Sequence, residues 1–355
     1  MPSSLILPGT PPLDGVTYNG QEALDFFLEP AFEKPAITQW HTVDQNIKAK
    51  QQIAFLNRYA KTGINDSGCG DPVNQANLTA SEKQWDPADI LVELTQCQTD
   101  LQNLAFRLAN GTGINRTDLN QNDAWFDMQQ DFVTDNSVEN ALRRAYFGDT
   151  TTEASDLANG ATDVPFYTNY NGFFKQITDG VAGNSIINIS IAENGLGTVA
   201  AQKALGASTA FDTFEALVNN SDTRLAGMSG NVIVCSRNMY NNYASYLRRQ
   251  GVDLSFQRIE DGFTSLDYNG IPVFEFNLWD RYAEDFIVGG AYGAKAPINF
   301  AFMTNPENMR FGIDAVGSLT QIDFIYDKIK REMVTRVMST EDVKILRDYL
   351  IIAAY

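Results

Sequence analysis

The side chains able to do chemistry are few and poorly grouped. His41 is the only histidine in the chain, so a histidine-rich metal site is excluded, and no serine motif accompanies it to make a conventional triad. A lone histidine reads as structural. Cys69, Cys97 and Cys235 are odd in number and lack Cys-x-x-Cys spacing, which indicates neither a zinc knuckle nor a disulfide framework and leaves free, buried thiols. The acidic neighbours Glu260-Asp261 and Glu284-Asp285 have the residue types for acid–base work, yet paired carboxylates at turns are ordinarily solvated surface. Arg248-Arg249 closes a helix and complements its dipole rather than marking an anion site. Gly195, Gly197 and Ala200 match the Gly-x-Gly-x-x-Ala spacing of a dinucleotide-binding turn after a strand. The next segment, however, is a helix at 211–218 where that motif needs a strand ending in an acid. There is no phosphate-binding P-loop, no Gly-x-Ser-x-Gly and no His-Glu-x-x-His. No catalytic, cofactor-binding or metal-ligating residue is therefore assigned, and no cofactor is expected.

Composition narrows the class. The chain of 355 residues can bury a sizeable core as one large or two interleaved domains, and 44% hydrophobic with 20% charged residues is a globular balance. Its 26 basic against 44 acidic residues give a net charge of −18, which argues against a dedicated nucleic-acid binder. No apolar run approaches a membrane span, and the start MPSSLILPGTPPLDG lacks the features of a signal peptide. An intracellular product is expected, so the sequons at Asn77, Asn115, Asn188 and Asn219 carry no weight.

The most specific stretch is Phe256 to Tyr282. Asp261-Gly262 and Asn269-Gly270 accept positive φ and close tight turns, predicting two hairpins in tandem. Ile271, Val273, Phe274, Phe276 and Leu278 then alternate as a buried strand, with Pro272 at its entry and Trp279 in the core beside it. Upstream, Val232 to Cys235 is a strand, Ser236 a cap, and Met239, Tyr243, Tyr246 and Leu247 one helical face that Gly251 stops.

The order of these pieces carries a resemblance. A helix at Phe211 to Val218, the polar SDTRLAGMSG, the strand and helix just described, then RIEDG and YNGIPVFEFNLWDR resemble the major capsid proteins of tailed bacteriophages. They are closest to those of phages infecting gut Bacteroidetes. The resemblance implies an α+β chain with the Hong Kong 97-like major capsid fold, shared with encapsulins. It implies a non-enzymatic subunit that self-assembles as hexamers and pentamers into an icosahedral shell around double-stranded DNA. Implied partners are portal, scaffold and decoration proteins, with DNA touched non-specifically and no membrane contact. The location implied is the virion capsid, after assembly in the host bacterial cytoplasm. An encapsulin-like compartment is the alternative within the fold. A dinucleotide-binding enzyme and a surface adhesin are the alternatives outside it.

The same resemblance divides the chain. Residues 1–45, holding half of the prolines, form the N-terminal arm, broken by a short helix at GQEALDFFLE. Residues 46–95 form the extended loop around a polar centre, with Trp85-Asp86-Pro87 marking its return; Thr62 to Lys83 has little apolar surface with which to order itself. Residues 96–160 form a peripheral domain with a spine helix. Within it, a helix runs from Cys97 to Leu108, and a tract through Trp125, Met128, Phe132, Val138, Leu142 and Ala145 closes at Phe147-Gly148-Asp149. Residues 161–300 form the axial domain, entered at Gly172-Phe173-Phe174-Lys175 with Phe173, Phe174 and Ile177 spaced for helical burial. Residues 301–340 return to the peripheral domain, where Gln321 to Met338 fits helix or strand and the resemblance favours one long strand. Residues 341–355 return as a last axial strand. Some capsid proteins of this fold form Lys–Asn crosslinks; Lys48, Lys50, Lys61 and Lys83 supply amines here, but nothing marks the partner asparagine.

Overall fold

The computed structural model of the protein describes residues 40–47, 49, 51–56, 80–97, 139–251, 257–258, 264–313, 321–327, 330 and 332–355. The helix at 20–29, the centre of the extended loop, the helix after Cys97, the stripe through Trp125 and the turn at Asp261-Gly262 lie outside these residues.

Strand β1 (Thr42–Gln45) precedes an antiparallel hairpin of β2 (Gln52–Leu56) and β3 (Ala80–Gln84), and β4 (Ala88–Cys97) follows after a sharp corner. Helix α1 covers 139–147. Next come α2 (Val164–Tyr167), α3 (Phe173–Ala182), β5 (Ile187–Ile189), α4 (Val199–Lys203), α5 (Thr209–Asn219) and α6 (Thr223–Ala226). Strand β6 (Val232–Ser236) feeds α7 (Arg237–Arg249), and β7 (Gln257–Arg258), β8 (Thr264–Tyr268) and β9 (Ile271–Phe276) lead into α8 (Asn277–Ala283). The small hairpin β10 (Ile287–Val288) and β11 (Ala291–Tyr292) precedes β12 (Ala301–Thr304) and β13 (Met309–Ile313). Strands β14 (Gln321–Asp327), β15 (Glu332–Ile345) and β16 (Ile351–Ala354) complete the described elements.

Among the described residues the strands form two main sheets. The larger has the order β5-β16-β12-β6-β9-β8-β7. Its central strands are apolar on both faces, the pattern of a sheet covered on both sides. Val232 and Val234 of β6, Phe302 of β12 and Ile351 and Ala353 of β16 face one core. Their alternates Ile233, Cys235, Ala301, Met303, Ile352 and Ala354 face a second core, closed by Phe214 and Leu217 of α5 and Met239 and Tyr243 of α7. The Asn269-Gly270 turn between β8 and β9 is as expected: Tyr268 pairs with Ile271, and both turn residues have positive φ, 52° and 80°, as a two-residue hairpin of the I′ kind requires. The strand after it stops sooner than its alternation suggests. β9 ends at Phe276, and Leu278 and Trp279 belong to α8, because a helical turn buries Trp279, Tyr282 and Ala283 together.

In the second sheet β15 is central. β4 lies along one side of it, β14 and β13 lie along the other, and β1 pairs in parallel with β13. Two expectations of secondary structure are corrected here, and the sheet membership of three boundary segments follows. Gln321 to Met338 is not one strand but parts of the antiparallel pair β14 and β15. Cys97 ends a strand rather than starting a helix, since the β4 ladder on β15 runs to it. Residues 88–95, placed in the extended loop, belong to this sheet through β4, and 42–45, placed in the arm, belong to it through β1. The boundary at 300 falls just before β12, which pairs between β6 and β16 in the larger sheet and not in a return segment.

The two sheets share a core. Leu142 and Ala145 of α1, Phe173 and Ile177 of α3, Phe276, Trp279 and Phe300 pack with Trp40, Ile90, Phe311 and Val343 in one cluster. The backbones of α1 and α3 come together through two glycines. A Cβ on Gly148 would sit 2.6 Å from the Arg144 and Tyr170 carbonyl oxygens, and one on Gly172 would sit 2.7 Å from the Ala145 carbonyl oxygen. Glycine at both positions lets Gly172 N–H reach the Gly148 carbonyl at 2.7 Å.

Candidate functional site

The polar groups buried where the two sheets meet form joints rather than a reaction centre. Arg144 on α1 donates to Glu341 on β15 through Nε and Nη2 at 2.9–3.2 Å. Glu341 also accepts from Ser339 Oγ at 2.8 Å and Tyr170 Oη at 3.3 Å. Burial disfavours the guanidinium charge, but Glu341 and Tyr170 together outweigh that and hold the Arg144 pKa above its ordinary value. Breaking such a pair from one side strands a charge in the core. His41 is equally structural. Trp40 Nε1 donates to Tyr146 Oη at 2.8 Å, and that oxygen lies 2.7 Å from His41 Nε2. The indole can only donate, so Tyr146 Oη accepts from Trp40 and shares a second hydrogen bond with the imidazole. The ring stacks on Phe173 at 5.2 Å.

The acidic neighbours divide their roles. Asp285 accepts from Tyr167 Oη and, at 3.0 Å, from Arg143, bridging to α1, and burial and then Asp285 raise the Tyr167 phenol. Glu284 takes no part in that bridge. Asp149 meets Lys295 at 3.0 Å and both the amide and hydroxyl of Thr151. Burial pushes its carboxyl up, but the Thr151 and Lys295 contacts win and hold it below the usual range. Sequence reasoning missed Asp280, whose Oδ1 is buried without a hydrogen-bond partner; burial lifts its pKa to about 6 against the opposing pull of Lys203 and Arg237. No pattern around it in the sequence distinguishes it from a surface aspartate on a helix.

The structure does not give Gly195 and Gly197 the work a phosphate turn demands. Gly195 ends a 3-10 turn, and a Cβ at either glycine would meet nothing within 4 Å, so no close backbone approach requires glycine there. Ala200 lies in α4, a helix of five residues. Arg248 and Arg249 are exposed in the last turn of α7. Cys235 is free and buried; Cys69 and the Cys97 side chain lie outside the described residues. Among the described residues no group of three His, Cys, Asp or Glu side chains could hold a metal ion, and no helix is long and apolar enough to cross a membrane.

The β2–β3 hairpin forms a two-stranded sheet of its own, apart from the two main sheets. Its root is fixed at Trp85, whose amide donates to Gln51 O at 3.0 Å. The Trp85 ring lies over Gly312, where a Cβ would be 2.8 Å from it. The next residue, Asp86, donates its amide to Asp342 Oδ2 at 2.8 Å. Lys83, one of the four amines singled out in the sequence, contacts the Ile345 carbonyl and Asp348 Oδ1, both at 2.7 Å. Lys48, Lys50 and Lys61 lie outside the described residues.

Comparisons with known proteins bear on the whole chain. No family model matches it, and no curated protein matches it in sequence. Solved structures do match in fold. A structure of Mycobacterium phage Ogopogo is 11% identical with a TM-score of 0.53, over 89% of this chain and 90% of that one. The satellite phage P4 procapsid with its size-determination protein gives 10% identity and a TM-score of 0.50, over 92% and 96%. The capsid of Myoviridae phage XM1 gives 10% and 0.50, over 90% and 91%. The fold is α+β and Hong Kong 97-like.

Proposed function

We propose that the chain is the major capsid subunit of a tailed phage, a structural protein that self-assembles through hexamers and pentamers into an icosahedral shell around double-stranded DNA. The observation that carries this reading is the match of fold over about nine-tenths of both chains with phage capsid and procapsid structures. In this reading the β15 sheet with α1 is the peripheral domain with its spine helix, the seven-stranded sheet is the axial domain, and the β2–β3 hairpin is the root of the extended loop. Residues 1–45 are the N-terminal arm in the same reading. Portal, scaffold and decoration proteins are its partners, the DNA is met by non-specific contact, and assembly takes place in the host cytoplasm. The likeness of RIEDG and YNGIPVFEFNLWDR to capsid proteins of gut Bacteroidetes phages supports such a host. A net charge of −18 makes subunits repel one another, so shell contacts must be extensive, on the order of 2,000–5,000 Å² for permanent interfaces.

Negative-stain imaging of the expressed protein, with the phage's own scaffold protein supplied, tests the proposal. Closed, symmetric shells are expected. A protein that stays monomeric at high concentration and moderate salt under those conditions overturns it.

A further inference from the structure

Strand β15 outruns its neighbour. The β4 ladder ends where Glu341 pairs with Ala88, while β13 continues along the other side to Ile345. Val343 and Ile345 consequently turn four backbone groups toward a side on which no strand lies among the described residues, and an unmet buried N–H or C=O is costly. Side chains meet all four. Val343 N–H donates to Asp342 Oδ1 at 2.8 Å. Gln176 of α3 donates Nε2 to Val343 O at 2.7 Å and accepts from Ile345 N at 3.0 Å through Oε1, much as a peptide group of a neighbouring strand would. The last group, Ile345 O, takes the Lys83 ammonium at 2.7 Å, and Asp348 Oδ1 takes the same nitrogen at 2.7 Å.

Lys83 therefore stands in for a strand, and it stands on the hairpin. Trp85 over Gly312 and the Asp86 amide on Asp342 attach the hairpin at its root, at adjacent residues; attachments so close together act as a pivot. Lys83, on β3 before the corner, attaches the hairpin at a point off that root, and a point off the pivot fixes a direction. Asp348 adds a link of its own. It lies in the 3-10 turn Asp348–Leu350 between β15 and β16, the crossing from one sheet to the other, and Leu350 O there accepts from Thr304 Oγ1 of β12 at 2.8 Å. The hairpin is thus tied to the point where the two sheets are joined.

We propose that Lys83 is the positioning residue of the hairpin: by completing the open edge of β15 and pairing with Asp348, it sets the angle at which the hairpin leaves the subunit. This rests on the capsid reading in one respect, that the hairpin angle then governs the uniformity of the shells. The side chains of the Lys83–Asp348 pair are each 35% exposed, so the pair adds little to global stability, and its loss acts locally.

The test has two arms. Amide hydrogen exchange is followed on unassembled subunits of the wild type, Lys83→Met, Asp348→Asn and, as a control, Lys175→Met, which removes the exposed Lys175–Asp179 pair on α3. Lys83→Met should speed exchange of the 52–56 and 80–84 amides by roughly tenfold through local opening, with β6 and β12 unchanged. Asp348→Asn, which keeps the bond to Ile345 O, should give a smaller rise, and Lys175→Met none. In the second arm shells are imaged, and Lys83→Met should broaden one diameter class into several. Unchanged hairpin exchange in Lys83→Met overturns the proposal, as does a rise spread equally over β6 and β12, which would make Lys83 a residue of global stability. Shells as uniform as wild type despite faster hairpin exchange overturn the link to assembly. If the wild type forms no shells while the exchange arm behaves as expected, the hairpin latch stands and the capsid reading falls.

Discussion

Replacing Trp279 with alanine should remove a large share of the stability of the folded chain, and the size of the loss follows from its surroundings. The residue is fully buried, lies parallel to Phe300 at 4.2 Å and 13°, touches Phe147 at 4.5 Å, and donates Nε1 to Pro297 O at 2.8 Å. Truncating a buried aromatic to alanine costs about 3–5 kcal/mol. The stacked pair adds about 0.5–1.5 kcal/mol, and the carbonyl left without its donor costs about 1–3 kcal/mol more. Terms that share one cavity do not add fully, so about 5–7 kcal/mol is expected for Trp279→Ala, against a whole-protein stability of about 5–15 kcal/mol. Trp279→Phe keeps most of the ring contact and removes the N–H, and should cost about 1–3 kcal/mol. Urea unfolding of unassembled subunits followed by far-ultraviolet circular dichroism separates the two. A Trp279→Ala midpoint equal to wild type would refute the packing argument, and a Trp279→Phe loss as large as that of alanine would refute the division between ring and hydrogen bond.

Four further outcomes are expected. Asp280 has its folded-state pKa raised to about 6 from 3.8, so the folded state binds the extra proton and stability falls as pH rises from about 4 to about 6, staying lower above that. Asp280→Asn should then stabilise the subunit at neutral pH by up to about 3 kcal/mol and flatten that slope in thermal melts taken across the range; an unchanged slope contradicts it. Arg144→Met should cost about 3–5 kcal/mol by stranding Glu341, and Arg144→Met with Glu341→Leu should recover part of it, measurable as a double-mutant cycle in urea. Gly172→Ala places a methyl against the Ala145 carbonyl and should destabilise by about 1–3 kcal/mol, whereas Gly195→Ala, with open space around it, should be silent in the same melts. Replacing residues 57–79 by Asn-Gly joins Leu56 to Ala80, which are register partners, through a two-residue turn; the subunit should melt as wild type and fail to form shells by negative stain.

What could be read from the sequence was local. The Asn269-Gly270 turn, the Ser236 entry to α7 and the face Phe173, Phe174 and Ile177 each depend on residues a few positions apart, and all three are where expected. Ser236 is nonetheless no side-chain cap: its hydroxyl accepts from Phe300 N–H instead, a partner no local pattern could reveal. Pairing across long stretches of chain was illegible for the same reason. Nothing in TVDQ at Thr42–Gln45 announces a parallel partner in β13, and the alternation of Gln321 to Met338 is the same whether it forms one strand or two. The joint residues were hidden too. Glu341, Asp342 and Lys83 look like surface charges until β15 is seen to need Arg144 on one face and a substitute strand along its open edge.

The way β15 holds β4, β13 and β14 together also sets the order in which the chain can fold. Asp86 and the Asp342 carboxylate that receives its amide are 256 residues apart. At roughly 5–20 residues per second, the ribosome needs on the order of 10–50 s to make the second after the first. Until β13 and then β15 are made, β1 and β4 lack the strands they pair with, and Trp40, Ile90 and Val92 lack Phe311 and Val343 of their shared core. Unpaired strand edges with exposed apolar side chains are what holdase chaperones bind and what aggregates nucleate on. The yield of soluble chain is therefore expected to fall when chaperones are limiting, before any contact between copies is made.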